Sequence, residues 1–271
     1  MSENGASQTT TLPDGRLVHC VNAYEVGFGW HEISSDPLLT SSFTFPPGAY
    51  FDVGANIGLF CIRLRDLCPA ARIFAYEPMP AAFAALRGNA AGLGDDVLPI
   101  QLALGAAPGD AVFEYFPGVT ALSTANPAVG RALAQGLRSL LSGAASDDVQ
   151  AIIAKTGAQD RQGDPDFLDG LFRAETIAAK VETLAGEAQR LGVDQIELLK
   201  IDTEGGERAV LDGVGPLWPR IRQLLVEVHG GAQERDVFAA ELVERGYKVT
   251  SDDHPLAHGG APVFHLYARR S

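Results

Sequence analysis

The sequence is short of positive charge. Its 271 residues carry 21 Lys and Arg against 34 Asp and Glu, a formal net charge of −13. The longest basic run is the pair Arg269-Arg270. Proteins that follow phosphate backbones neutralise them with clustered cations, so this balance argues against a nucleic-acid partner. Cysteine is also scarce. Cys20, Cys61 and Cys68 form no CxxC pair and have no histidine at zinc-ligand spacing, which predicts buried thiols in a reducing compartment. No stretch approaches the roughly 20 apolar residues of a membrane helix. Met1 to Thr11 lacks the basic and apolar regions of a signal peptide. These absences together predict a soluble, cytoplasmic protein with no membrane partner. They leave the oligomeric state open.

What is present is ordinary for a globular chain: 46% hydrophobic and 20% charged residues, enough to bury a core without disulfide or metal support. Residues 1–45 read as an N-terminal arm, polar at first and then aromatic with Tyr24, Phe28 and Trp30. Pro46-Pro47-Gly48 ends it, and residues 46–271 read as one domain. In that domain Ala49–Val53, Arg72–Tyr76 and Val97–Leu102 are short apolar runs of strand type. Between them, Leu59–Leu67 and Pro80–Asn89 have helical spacing. Such alternation predicts a parallel sheet covered by helices. Ala111–Phe116 is a further strand. Regularity fails over about 117–175, read as an insertion of short helices and loops with an amphipathic stretch near Arg131–Leu141 and an acidic loop at Asp164, Asp166 and Asp169. Strands resume at Thr176–Val181, Gln195–Ile201 and Ile221–Val228, with helices at Leu184–Leu191, Glu207–Leu211 and Asp236–Arg245. Tyr247–Thr250 and Val263–Ala268 then predict an antiparallel closing pair.

In open α/β sheets ligands bind beyond the carboxyl ends of the strands. The predicted ends carry Asp52 and Asn56, Glu77, Gln101 to Ala103, Asp202 and Glu204, and Glu227 and His229. Four of these five ends hold a carboxylate. The loop Gly54-Ala55-Asn56-Ile57-Gly58 lacks the GxGxxG spacing of a dinucleotide site, and no GxxxxGK[ST] loop exists. Asp52, two residues before Gly54, would repel a pyrophosphate. A cationic nucleoside without phosphate suits these ends, and S-adenosyl-L-methionine is one. Glu77, 25 residues beyond Asp52, is placed to accept ribose hydroxyls.

Asp52-Val53-Gly54-Ala55-Asn56-Ile57-Gly58, Glu77-Pro78, Lys200-Ile201-Asp202-Thr203-Glu204-Gly205-Gly206-Glu207 and Glu227-Val228-His229 resemble, in order, the motifs of FkbM-type methyltransferases. Lys180-Val181-Glu182-Thr183-Leu184 is similar to the segment that enters the fourth strand in that family. The resemblance covers about 50–230, apart from most of the insertion. It implies a class I methyltransferase fold: a Rossmann-like, seven-stranded doubly wound sheet with an antiparallel last strand, here with the arm and a helical insertion. It also implies an S-adenosylmethionine-dependent O-methyltransferase acting on a hydroxyl of a small molecule, a secondary metabolite or a sugar-containing compound. Asp52, Gly54, Asn56, Gly58, Glu77, Pro78, Ala103 and Asp202 are then the expected cofactor-binding residues.

Methyl transfer needs a proton acceptor for the hydroxyl. His229 is the first candidate base, since its ordinary pKa is near neutrality, and Glu227 falls on the same strand face to orient it. Asp202 is the second. Glu204 and Glu227 are the expected acceptor-binding residues, and Glu207 is expected to be structural. Asp202, Glu204, Glu227 and His229 could offer ligands to Mg²⁺, but nothing in their spacing demands a metal and none is predicted. His19, His31, His254, His258 and His265 have no partner pattern. A cofactor-binding regulatory or partner protein without catalysis, and less so a nicotinamide-dependent oxidoreductase, stay open as other readings.

Overall fold

The structure is a computed structural model and describes residues 8–139, 169–253 and 263–270. Asp164, Asp166, His254 and His258 lie outside the described residues.

A central sheet of seven strands organises the chain. In chain order these are β3 (Gly48–Val53), β4 (Ala71–Tyr76), β5 (Val97–Ile100), β9 (Ile196–Ile201), β10 (Gln223–Val228), β11 (Tyr247–Asp253) and β12 (Phe264–Arg270). Their spatial order is β11-β12-β10-β9-β3-β4-β5. β12 pairs antiparallel with both β10 and β11, whereas β3 pairs parallel with β4 and β9. The chain therefore moves outward in one direction from β3 through β4 and β5, then restarts on the other side with β9 and β10. The carboxyl ends of β3 and β9 flank that reversal, where a crevice opens in such sheets.

The period of two in each strand divides the core into two layers. Phe51, Val53, Phe74, Tyr76, Leu199, Ile201 and Val226 face one side, against α6 (Leu184–Leu191), α7 (Glu207–Asp212) and α8 (Ala232–Glu244). Tyr50, Ile73, Ala75 and Leu198 face the other, against α2 (Pro37–Ser42), α3 (Leu59–Leu67) and α4 (Pro80–Ala91). α3 and α6 have the bounds that apolar spacing predicts. α8 starts four residues earlier than predicted, behind Gly231, because its first turn is polar and shows no apolar period.

The strand Ala111–Phe116 is not part of the main sheet. It is β7 (Gly109–Tyr115), which pairs antiparallel with β8 (Glu175–Glu182); with β6 (Ala103–Leu104) they form a second sheet of three strands. Between β7 and β8 the chain makes a 3₁₀ turn at Thr120–Leu122 and then α5 (Pro127–Ser139). α5 matches the amphipathic stretch and packs Leu133 with Phe116, Val119 and Leu171. Asp169 pairs with Arg138 at 3.2 Å on the exposed surface.

Residues 8–45 form a hairpin, β1 (Gln8–Thr11) and β2 (Leu17–Cys20), followed by α1 (Ala23–Ser35) and α2. Val18, Val26 and Trp30 pack with Ile57, Leu59 and Ile62. Trp30 is thus tied into the core, beneath the Arg16 guanidinium, and Tyr24 packs against the cluster around Phe116. All three cysteines are buried and free. Among the described residues no helix is long and apolar enough to cross a membrane.

Candidate active site

A crevice of about 200 Å³ lies at the reversal point, beyond the ends of β3, β4 and β9. Gly54, Asn56, Glu77, Pro78, Ala103, Asp202 and Glu204 line it, with an apolar wall that includes Met79, Leu102 and Phe113. Among the described residues that line it there is no Lys, Arg or His.

The glycine loop is shaped by backbone contacts. Gly54 has φ 78°, and a Cβ there would lie 1.6 Å from the Asp202 carbonyl oxygen. Only glycine lets the β3 and β9 ends approach so closely. The Gly54 and Ala55 N–H groups donate to the Tyr76 carbonyl at 3.0 and 2.9 Å, wrapping the loop over the end of β4. Asn56 adopts φ 47° and donates its N–H to Glu77 Oε2 at 2.9 Å. Glu77 Oε1 accepts from the Met79 N–H at 2.7 Å. Burial, only partly offset by these two donors, pushes the Glu77 pKa up to about 7.

Asp52 is displaced from its expected role. It lies on β3 with Tyr50's parity, so it points beneath α3 and not into the crevice. It is fully buried, accepts from Cys61 Sγ at 3.3 Å and pairs with Lys200 Nζ at 3.2 Å. Lys200 is its register neighbour on β9 and also reaches Asp202 Oδ2 at 3.1 Å and the Gly54 carbonyl at 2.9 Å. Burial disfavours the ammonium, but Asp202 and Asp52 outweigh it and raise its pKa. Lys200 therefore ties the ends of β3 and β9 together. Sequence reasoning gave it no role, although a lysine within the apolar run Ile196–Ile201 was a signal for a buried charge needing a partner. Gly58 is also outside the crevice; with φ 87° it caps the N-terminus of α3.

His229 does not line the crevice either. Its side chain is 1% exposed. Nδ1 lies 3.2 Å from Glu207 Oε1, and Nε2 lies 3.0 Å from Glu204 Oε2 and 3.4 Å from Glu227 Oε1. Burial works against the imidazolium, but Glu204 and Glu207 override it and hold its pKa well above the ordinary value. With both ring nitrogens donating to carboxylates, the ring has no lone pair for a hydroxyl proton, so the base role expected of it does not fit the geometry. Glu227 is beside it, as the strand period predicts. Glu207 is structural as expected: its Oε1 also accepts from the Thr203 and Gly205 N–H groups at 3.1 and 2.9 Å. Burial would raise its pKa, but His229 and the Gly205 N–H lower it.

Asp202 and Glu204 remain at the crevice. Burial and the nearby Glu227 raise the Asp202 pKa to about 6. Burial raises that of Glu204 to about 7 against the pull of His229. Glu204 has φ 52°, a conformation uncommon for a side-chain-bearing residue, and its carbonyl accepts from the Thr124 hydroxyl. Gly205 follows with φ 95° directly beneath Val129 of α5, so α5 covers this corner. Asp202, Glu227 and His229 each bring one possible ligand atom within 4.8 Å of the others, as do Glu32, Glu227 and His265. His265 lies 3.4 Å from Glu227 Oε2, a contact that no local pattern in the sequence announced, because β12 and β10 are neighbours only in the folded sheet.

The Methyltransferase FkbM domain profile matches residues 52–249. The chain is 34% identical to the 31-O-demethyl-FK506 methyltransferase FkbM of Streptomyces tacrolimicus, over 97% of both chains. It is 30% identical to a part of the AMB antimetabolite synthetase AmbE of Pseudomonas aeruginosa, covering 96% of this chain but only 12% of that protein's length. It is 28% identical to the methyltransferase sdnD of Sordaria araneosa, over 86% of each.

Proposed function

The chain belongs to the FkbM methyltransferase family, and from that premise we propose that it is an S-adenosyl-L-methionine-dependent O-methyltransferase acting on a hydroxyl of a small molecule, a secondary metabolite or a sugar-containing compound. The observation that carries the reading is the crevice lining. It sets Glu77, Asp202 and Glu204 against an apolar wall, with no basic side chain among the described lining residues. A phosphate-bearing nucleotide would meet carboxylates there and no cationic side chain among the described lining residues. A nucleoside sulfonium meets carboxylates for its cationic end and ribose, and Leu102, Phe113 and Met79 for its base. The name of the Streptomyces tacrolimicus relative specifies methylation at an oxygen, which supports the acceptor class.

The bound donor supplies a methyl carbon activated by a sulfonium, open to in-line displacement by the acceptor oxygen. The rest falls to the chain. Glu77 accepts the ribose hydroxyls, held in place by the Asn56 and Met79 N–H groups. Gly54 lets the ends of β3 and β9 close up at the floor of the crevice. Alignment of acceptor and donor lowers the barrier by roughly 7–11 kcal/mol where geometry is tight. Asp202 takes the acceptor proton, with Lys200 fixing one of its oxygens at 3.1 Å. His229 serves as a buried cation that anchors Glu204 and Glu227 at the rim.

Titration calorimetry with S-adenosylmethionine on the full chain tests the reading. Wild type should bind, and Glu77→Ala should bind about 10–100-fold more weakly, since a charge-assisted hydrogen bond contributes roughly 1.5–3 kcal/mol. Only the ionised carboxylate accepts both ribose protons, so wild-type affinity should rise as pH climbs through about 7. Glu77→Gln should flatten that dependence. Failure of wild type to bind the donor defeats the proposal. Tight binding with no turnover on any hydroxyl compound would point to a cofactor-binding partner protein.

A further inference from the structure

One line of polar side chains connects the N-terminal arm to the crevice. At the start of α1, Asn22 Nδ2 donates to Glu25 Oε2 at 2.6 Å and to the Pro117 carbonyl at 2.8 Å. The Tyr24 hydroxyl donates to the Gly118 carbonyl. Glu25 accepts from the Ala121 N–H at 3.4 Å and from Thr120 Oγ1 at 3.3 Å. Thr120 is buried and lines the crevice. Its oxygen accepts from Asn56 Nδ2 at 3.1 Å, and its single proton is within reach of both Glu25 and Asn56 Oδ1, the latter at 3.2 Å. Asn56 in turn donates its N–H to Glu77. The Thr120 hydroxyl therefore bridges the Asn56 amide and the Glu25 carboxylate. Four separate segments contribute: α1, the turn after β7, the loop after β3 and the end of β4.

We propose that Glu25 is a positioning residue of the donor site, acting through Thr120 and Asn56 to fix the Glu77 carboxylate. This rests on the reading of the crevice as the donor site. Asn56 must hold a left-handed conformation to aim its N–H at Glu77, and such a conformation persists only where neighbours over-determine it. The amide side chain of Asn56 is the second point of restraint, and Thr120 with Glu25 provides it. Docking of the arm also has contacts that do not involve the Glu25 carboxylate. Val26 and Trp30 bury against Ile57, Leu59 and Ile62, and Tyr24 holds Gly118. A purely structural role for Glu25 and a positioning role thus have different consequences.

The test is calorimetric titration of S-adenosylmethionine into wild type, Glu25→Ala, Thr120→Val, Thr120→Ser and the double variant Glu25→Ala/Thr120→Val, with thermal melts of each unliganded protein. Glu25→Ala and Thr120→Val should each weaken binding on the order of tenfold, with melting close to that of wild type. The double variant should be no weaker than either single one, because both cut the same line. Thr120→Ser, which keeps the hydroxyl, should restore most of the loss seen with Thr120→Val. Unchanged affinity in Glu25→Ala, additive losses in the double variant, or losses tracked by an equal fall in melting temperature would each overturn the proposal. Absence of donor binding by wild type would instead defeat the donor-site reading, and this inference with it.

Discussion

Asp202→Asn is expected to lower kcat by about 10²–10⁴-fold, the usual contribution of a positioned general base. The amide keeps the volume of the carboxylate and one acceptor oxygen for Lys200, so the crevice should retain its shape and the donor its affinity to within a few-fold. What the variant loses is the ability to take a proton. Asp202 suits that task in three ways. It lines the crevice. Its backbone is pinned, since its N–H donates to the Val53 carbonyl at 3.0 Å. Burial and Glu227 raise its pKa to about 6, which makes it a stronger base than an exposed aspartate while leaving it ionised at neutral pH. The wild-type pH profile of kcat should therefore rise through about 6 and level off above it. A flat profile from pH 5 to 8, or near-normal turnover by Asp202→Asn, would remove Asp202 as the proton acceptor.

The second large effect concerns stability. His229→Ala is expected to lower the melting temperature by something of the order of 10 °C. Removing one partner of a buried charge cluster typically costs about 3–5 kcal/mol, and in a chain of this size each kcal/mol moves Tm by roughly 2–4 °C. Here the loss would leave Glu204, Glu207 and Glu227 facing one another without the imidazolium that lies 3.0–3.4 Å from each. The pH dependence has a definite sign. The folded-state pKa of His229 lies well above its unfolded value, so its stabilising contribution is complete below about 6.5 and fades as pH rises through the folded value. The gap between wild type and variant should accordingly persist at neutral pH, narrowing in alkaline solution as His229 loses its proton and in acid as Glu204, with a pKa of about 7, gains one. Thermal unfolding across that range measures it. A variant that melts with wild type would mean that the ring does not serve as the buried cation, and would reopen its candidacy as a base.

Much of this molecule was legible before folding was considered. The apolar period marks α3 at Leu59–Leu67 and α6 at Leu184–Leu191 to the residue. Short apolar runs mark β3, β4 and β9 within a residue or so, because strands buried on both faces leave little room for polar positions beyond the paired Asp52 and Lys200. Glu77, Asn56, Pro78, Ala103, Asp202 and Glu204 reach the crevice because they stand at or just beyond strand ends, and topology alone sends strand ends to one rim. The second sheet was not legible. β7 pairs with β8 across some 60 residues of chain, and a strand run carries no mark of which sheet it will join.

By itself, then, the sequence determined the alternation of strands and helices, the acidic character of the rim and the family. Tertiary structure alone decided which of those acids face the crevice and which charges they keep. Asp52 is turned beneath α3 by the parity of one strand position, and Lys200 meets it only because β3 and β9 lie side by side. His229 carries a proton because three carboxylates from separate turns and strands converge on it. Glu25 reaches Thr120 at the crevice wall only because the arm folds back over the loop after β7. Orientation and ionisation depend on distances between residues far apart in the chain, and those distances exist only once the chain has packed.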